Sequence, residues 1–131
     1  MERKEPYASK EEFDGRVTHY SDVPVVQTAT GVKLHIVSAE RITVAFVTLD
    51  PGICAPVHRH EHEQIAVVVD GACDFILEGK LYPMKKGDVI VVPSNIEHGN
   101  YSTHKGCQII DVFSPPRQDF VDKLSKVLSG E

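Results

Sequence analysis

The sequence predicts an all-β fold, a small antiparallel barrel or sandwich with one helix at its C-terminal end. Three observations predict it. Short segments rich in β-branched residues recur along the chain. Gly and Pro turn signals separate them. A helical period is carried only by the last stretch. Many short strands punctuated in this way can bury one face each against a shared core.

Taken in order, residues 1–16 are polar and charged and read as an N-terminal arm. "GVKLHIVS" and "ITVAFVTL" follow as two strands with partial alternation. "DPG" at Asp50–Gly52 is a turn, with Pro preset for the corner. "QIAVVVD" leads into Gly71 and "ACDFILE" follows, which reads as a hairpin. "EGK" at Glu78–Lys80 and "KKGD" at Lys85–Asp88 are further turns, and "VIVVP" is the strand after them. "CQIIDVF", Cys107–Phe113, is the last strand. In "SPPRQDFVDKLSKVLSG", Ser114 suits an N-cap and the prolines suit a first turn. Phe120, Leu124 and Leu128 then fall on one helical face, flanked by Val121 and Val127, and Gly130 marks the stop. The domain reading is an arm over 1–16, a barrel over 17–113 and a packing helix over 114–131.

Composition excludes several classes. At 131 residues the chain is one domain by size, long enough for a single core. The net charge is −5 and no basic stripe stands out, which argues against a nucleic-acid partner. The longest apolar runs are far too short to span a bilayer, and the N-terminus has no apolar signal-peptide region. Cys54, Cys73 and Cys107 are odd in number and widely spaced, which fits a reducing compartment rather than a disulfide framework. A cytoplasmic protein is expected.

The chemistry concentrates in "HRHEHEQ", His58–Gln64. On a strand, His58, His60, His62 and Gln64 share one face, and Arg59, Glu61 and Glu63 the other. The residue placed to join the histidines is therefore Gln64 rather than Glu63. Imidazole is a ligand for borderline divalent metals, and an amide oxygen is a weaker one. Solvated or hydrogen-bonded histidines remain the alternative reading of this stretch. His62 is expected at the barrel mouth.

Context narrows the choice. Gly52 lies six residues before His58, Gly71 seven after Gln64, and "GDVIVVPSNIEH" brings in His98. "PGICAPVHRHEHEQIAVVVDG" resembles the first conserved motif of the cupins, and "GDVIVVPSNIEH" the second. The resemblance covers most of residues 51–100. It implies a cupin (double-stranded β-helix, jelly-roll) barrel around a divalent metal, Zn, Ni, Fe or Mn. The matching ligands are His58, His60, Gln64 and His98. Gln64 stands where many cupins have Glu, and Asn95 where the second motif usually has Gly. Asn tolerates positive φ, so the turn can stand. With Gln64 the four protein ligands are all neutral, which leaves the full double charge to attract an anion and polarise a carbonyl or water.

The second informative stretch is "DVFSPPRQDF". Asp111 and Phe113 share a strand face, and Arg117 stands at a helix start, a place suited to anions. A structural Asp111–Arg117 salt bridge is the competing reading. The D-x-F-x-x-x-R spacing and the Gln in the first motif are similar to small single-domain cupins of pectin and alginate degradation. That resemblance implies conversion of a 4,5-unsaturated uronate to its linear keto form. In it, Asp111 and Arg117 are catalytic, and Arg117 and Phe113 bind the anionic small-molecule substrate. An iron-dependent dioxygenase and a non-catalytic sugar-acid-binding cupin are the alternatives. Cupins often dimerise, and "SDVPVVQTA" is a candidate for exchange in a homodimer.

Overall fold

The computed structural model describes residues 1–130. Eight strands form one wrapped antiparallel sheet: β1 (Val26–Ala29), β2 (Val32–Ser38), β3 (Thr43–Leu49), β4 (Cys54–His58), β5 (Glu63–Leu77), β6 (Lys80–Lys85), β7 (Val89–Val92) and β8 (His98–Ser114). Two helices flank them, α1 (Lys10–Asp14) and α2 (Gln118–Ser129). Ser9 and Glu12 close a capping box at the start of α1, which buries no residue.

The two longest strands make the barrel. The C-terminal half of β8 lies between β3 and the first half of β5, which also pairs with β7. The N-terminal half of β8 lies between β4 and the second half of β5, which pairs with β6. Each long strand thus bends from one wall into the other. Alternation on β3 and β8 sends Thr43, Ala45, Val47, Leu49, Ile109 and Phe113 inward, where they join Leu34, Ile36, Ala66, Val68, Phe75 and Val92 in one core.

The bend corrects one expectation. Gly71 does not close a hairpin; β5 runs straight through it as a single strand of 15 residues. Gly71 has φ of +74°, and the register against β8 shifts beside it, between Gly71 and Cys73. A Cβ at Gly71 would stand 2.5 Å from the Gly106 carbonyl oxygen of β8. Glycine here makes a bulge that turns the strand instead of reversing it. The last strand is also longer than its sequence pattern, beginning at His98 rather than Cys107.

The start of α2 brings a second correction. Ser114 is not the N-cap; Arg117 is, and Ser114 donates its hydroxyl to the Arg41 carbonyl. Pro116 disfavours helical backbone at the residue before it, so the helix cannot begin until the prolines are passed. Phe120 is buried and Leu124 packs against the core, whereas Leu128 is 65% exposed. Gly130 ends the helix in the left-handed conformation. Among the described residues, no helix is long and apolar enough to cross a membrane.

Candidate metal centre and cavity

Three histidines meet at the barrel mouth. β4 ends at His58, residues 59–62 form a loop, and β5 begins at Glu63, so the expected single strand through His58–Gln64 is broken. The loop carries His60 back over the opening, held by the Asn95 backbone N–H donating to the His60 carbonyl at 2.8 Å. Asn95 has φ of +63°, as the departure from glycine at this turn requires. His98 opens β8 directly opposite His58. Each of His58, His60 and His98 offers a ring nitrogen within 4.8 Å of the other two. His62 lies outside this group; its ring packs edge-on against His60.

The hydrogen bonds of the cluster fix its chemistry. Nδ1 of His58 donates to the Pro56 carbonyl at 2.9 Å, Nδ1 of His60 to the His62 carbonyl at 2.9 Å, and Nδ1 of His98 to the Ile96 carbonyl at 2.8 Å. A carbonyl only accepts, so each Nδ1 carries the proton and each neutral ring leaves Nε2 as a lone pair. Burial, then Arg117 and His98, push the His60 pKa down to about 4. Burial lowers His98 as well. Both rings are therefore neutral at pH 7, the form that binds a metal.

Two details fit a cation. The His98 Nε2 is buried with no partner. The His60 Nε2 and the Gln64 Oε1 face each other at 3.1 Å with lone pairs on both sides, an arrangement that a shared cation relieves. Gln64 is 5% exposed and faces inward from β5. The donor set, three imidazoles and an amide oxygen, suits a borderline divalent ion.

Beneath the cluster lies a cavity of about 290 Å³. His58, His98, Gln64, Asp111, Phe113 and Arg117 all line it. Phe113 stands 5.7 Å edge-on from the His60 ring, and Phe75 stacks at 6.2 Å on His98, so the cluster sits between two aromatic walls. The Asp111 Oδ1 is shielded from solvent and unpaired. Burial pushes this carboxyl up to about 7, opposed by a hydrogen bond from Gln64 and the charge of Arg117. Gln64 thus stands between the two, its oxygen toward His60 and its side chain beside Asp111.

Arg117 does not pair with Asp111. Its Nε and Nη2 form a fork with both carboxylate oxygens of Asp119, at 2.9 and 2.8 Å. The guanidinium lies 3.8 Å from the Phe120 ring centre and 4.7 Å from that of Phe113. Its backbone N–H donates to the buried Thr43 hydroxyl of β3. The fork uses two of five guanidinium donors and leaves the others at the cavity. Asp119 and Lys123 also line the cavity and were not singled out from the sequence; Phe120, expected on the packing face of the helix, lines it too. An acid two residues beyond Arg117, in the first helical turn, was the available signal.

A barrel with an inward histidine cluster at one mouth defines the class: this is a cupin scaffold with a candidate metal site. The cupin domain family matches residues 45–113, and the chain belongs to that family. It is 31% identical over 102 residues to the pectin degradation protein KdgF of Dickeya dadantii, across 76% of this chain and 93% of that protein. The structure of KdgF from Halomonas sp. superposes with a TM-score of 0.71 at 31% identity, over 76% of this chain and 93% of that one. An RmlC-like cupin from Shewanella frigidimarina superposes with a TM-score of 0.75 at 26% identity, over 80% and 95% of the two chains. The chain is thus a KdgF-like cupin.

Proposed function

We propose that this protein is a metal-dependent enzyme that converts a 4,5-unsaturated uronate, or a related keto sugar acid, to its linear keto form. The observation that carries the reading is one cavity lined by His58 and His98 of the histidine cluster, an unpaired buried acid and a stacked arginine. Similarity to pectin degradation proteins supports the substrate class. A cavity of about 290 Å³ suits a monosaccharide, at the low end of the roughly 300–1,000 Å³ common for small-molecule sites.

His58, His60, Gln64 and His98 would hold a divalent ion, which would supply Lewis acidity toward a substrate hydroxyl or carbonyl oxygen. Arg117, fixed by Asp119 and its two aromatic neighbours, clamps the substrate carboxylate with its remaining N–H groups. Phe113 forms the wall against which the ring lies. Ring opening moves one proton from the C1 hydroxyl to C4 as the C1–O bond breaks and C5 becomes a ketone. Asp111 is the group placed to take and return it, since its carboxyl lines the cavity with Oδ1 unpaired and burial raises it above the ordinary carboxylate range.

The test is incubation of metal-loaded protein with the unsaturated uronate. The enol absorbance should fall and a linear keto acid should form. Saturable binding without turnover would make the protein a sugar-acid binder, and oxygen uptake in the iron form would make it a dioxygenase. The same reading takes the protein as a cytoplasmic homodimer. Its contact is the outward face of β3, β8, β5 and β7, where Val44, Phe46, Ile110, Val112, Ile65 and Val91 line up across paired strands.

A further inference from the structure

Asn100 has no role in the chemistry above. It sits two residues beyond His98 on β8, side chain inward, opposite Ala55 of β4 and Phe75 of β5. It is 5% exposed, and it lines the same cavity as Asp111 and Arg117. Its Oδ1 is buried and has no partner. Leaving such an acceptor buried and unpaired is costly, so a donor is expected there.

The cavity is polarised around this point. Arg117 packs on Phe113, on one side of the histidines. Asn100 is paired with Phe75, on the other. A carboxylate is attracted at the Arg117 side. At Asn100 a second acceptor would be repelled and a hydroxyl donor accepted.

We propose that Asn100 is a substrate-recognising residue whose Oδ1 accepts a hydrogen bond from a ring hydroxyl of the sugar acid, so that the cavity selects hydroxylated acids over their deoxy counterparts. This rests on the uronate reading, and it adds what fixes the end of the ligand remote from the carboxylate. A site built to pair a hydroxyl rejects the analogue that lacks it, because its own polar group is then stranded.

Calorimetry on the metal-loaded protein tests it, with D-galacturonate, which has no 4,5 double bond and so does not react, and its 2-deoxy and 3-deoxy forms. Wild type should bind one deoxy form roughly tenfold more weakly than the parent, about one lost neutral hydrogen bond. Asn100→Ala should lose that discrimination while keeping its metal, and Asn100→Ser should restore part of it. Equal affinity of wild type for all three ligands overturns the proposal without any variant. So does discrimination that persists in Asn100→Ala. If both variants fail to fold, a crystal structure of wild type with galacturonate decides. A hydroxyl oxygen within about 3.2 Å of Oδ1 supports the proposal, and a water in its place overturns it. Turnover of the unsaturated uronate is measured in parallel. Loss of turnover with discrimination intact removes the enzyme reading and leaves Asn100 its role. Turnover with no discrimination does the reverse.

Discussion

Gln64 is where a single residue matters most. A glutamate there would aim one carboxylate at the histidines and place its charge beside the buried carboxyl of Asp111. The neutral amide offers the histidines an acceptor without that charge. Gln64→Glu should therefore hold metal at least as tightly as wild type but bind carboxylate ligands more weakly, by tenfold or more. Affinity for D-galacturonate, measured on metal-loaded protein, checks this; unchanged binding sinks the electrostatic account. The ligand set makes a second prediction. Alanine at His58, His60 or His98 should each strip the metal, read by elemental analysis after dialysis. Gln64→Ala should lower occupancy more than Glu63→Gln, because Glu63 is exposed on the opposite face of β5. Full occupancy in any histidine variant would remove that residue from the set.

Among the elements, β5 and the start of α2 set the geometry. The bulge at Gly71 lets one strand serve both walls. Gly71→Ala would meet both a positive φ and the Gly106 backbone, whereas Gly52→Ala, at φ of +66°, would meet nothing within 4 Å. The second should cost about 1 kcal/mol and the first several. Melting curves would show this as roughly 3–5 °C against a loss three or more times larger. Equal shifts would mean that the bulge can relax. At α2, the Arg117 fork holds the Asp119 carboxyl down at about 2. A depressed acid contributes stability that is complete above its unfolded pKa, near 3.8, and is lost as pH falls through the folded value. Wild type should thus lose this contribution between about pH 4 and 2. Asp119→Asn should be less stable at pH 7 and lose less in that window. Half of the Asp119 side chain faces solvent, so the difference is at most about 1 kcal/mol. Parallel stability–pH curves for the two proteins would show that the fork contributes nothing to folding.

The whole molecule raises the question of its outer apolar face. Ile65, Val89 and Val91 are 42%, 56% and 57% exposed, and they adjoin Val67, Ile110 and Val112 on paired strands. One contiguous apolar face on a chain of net charge −5 suits a second copy, since isologous packing brings the uncharged surfaces together. Light scattering should give twice the chain mass. Val89→Lys with Val91→Lys should give a monomer that keeps its metal. A monomeric wild type at tens of micromolar would end the dimer reading. β1, the end of the segment considered for exchange, pairs with β2 of its own chain.

What the sequence determined by itself was local. Alternation, turn residues and two spaced motifs are written in neighbouring positions, so the strands, the cupin class and the grouping of His58, His60 and His98 were legible. Strand parity selected Gln64, although the strand it assumed is interrupted at residues 59–62. What only the tertiary structure decided lies between distant segments. Whether Gly71 reverses a strand or bends it depends on the Gly106 backbone, 35 residues away. Arg117 had two acids within reach in the sequence. Its choice of Asp119 follows from the helix that places both on one turn, while Asp111 turns inward from β8 to Gln64. Asn100 reads as one polar residue among many until the barrel closes around it. Pairing and desolvation are properties of the assembled core, where a polar atom's cost is set by what surrounds it.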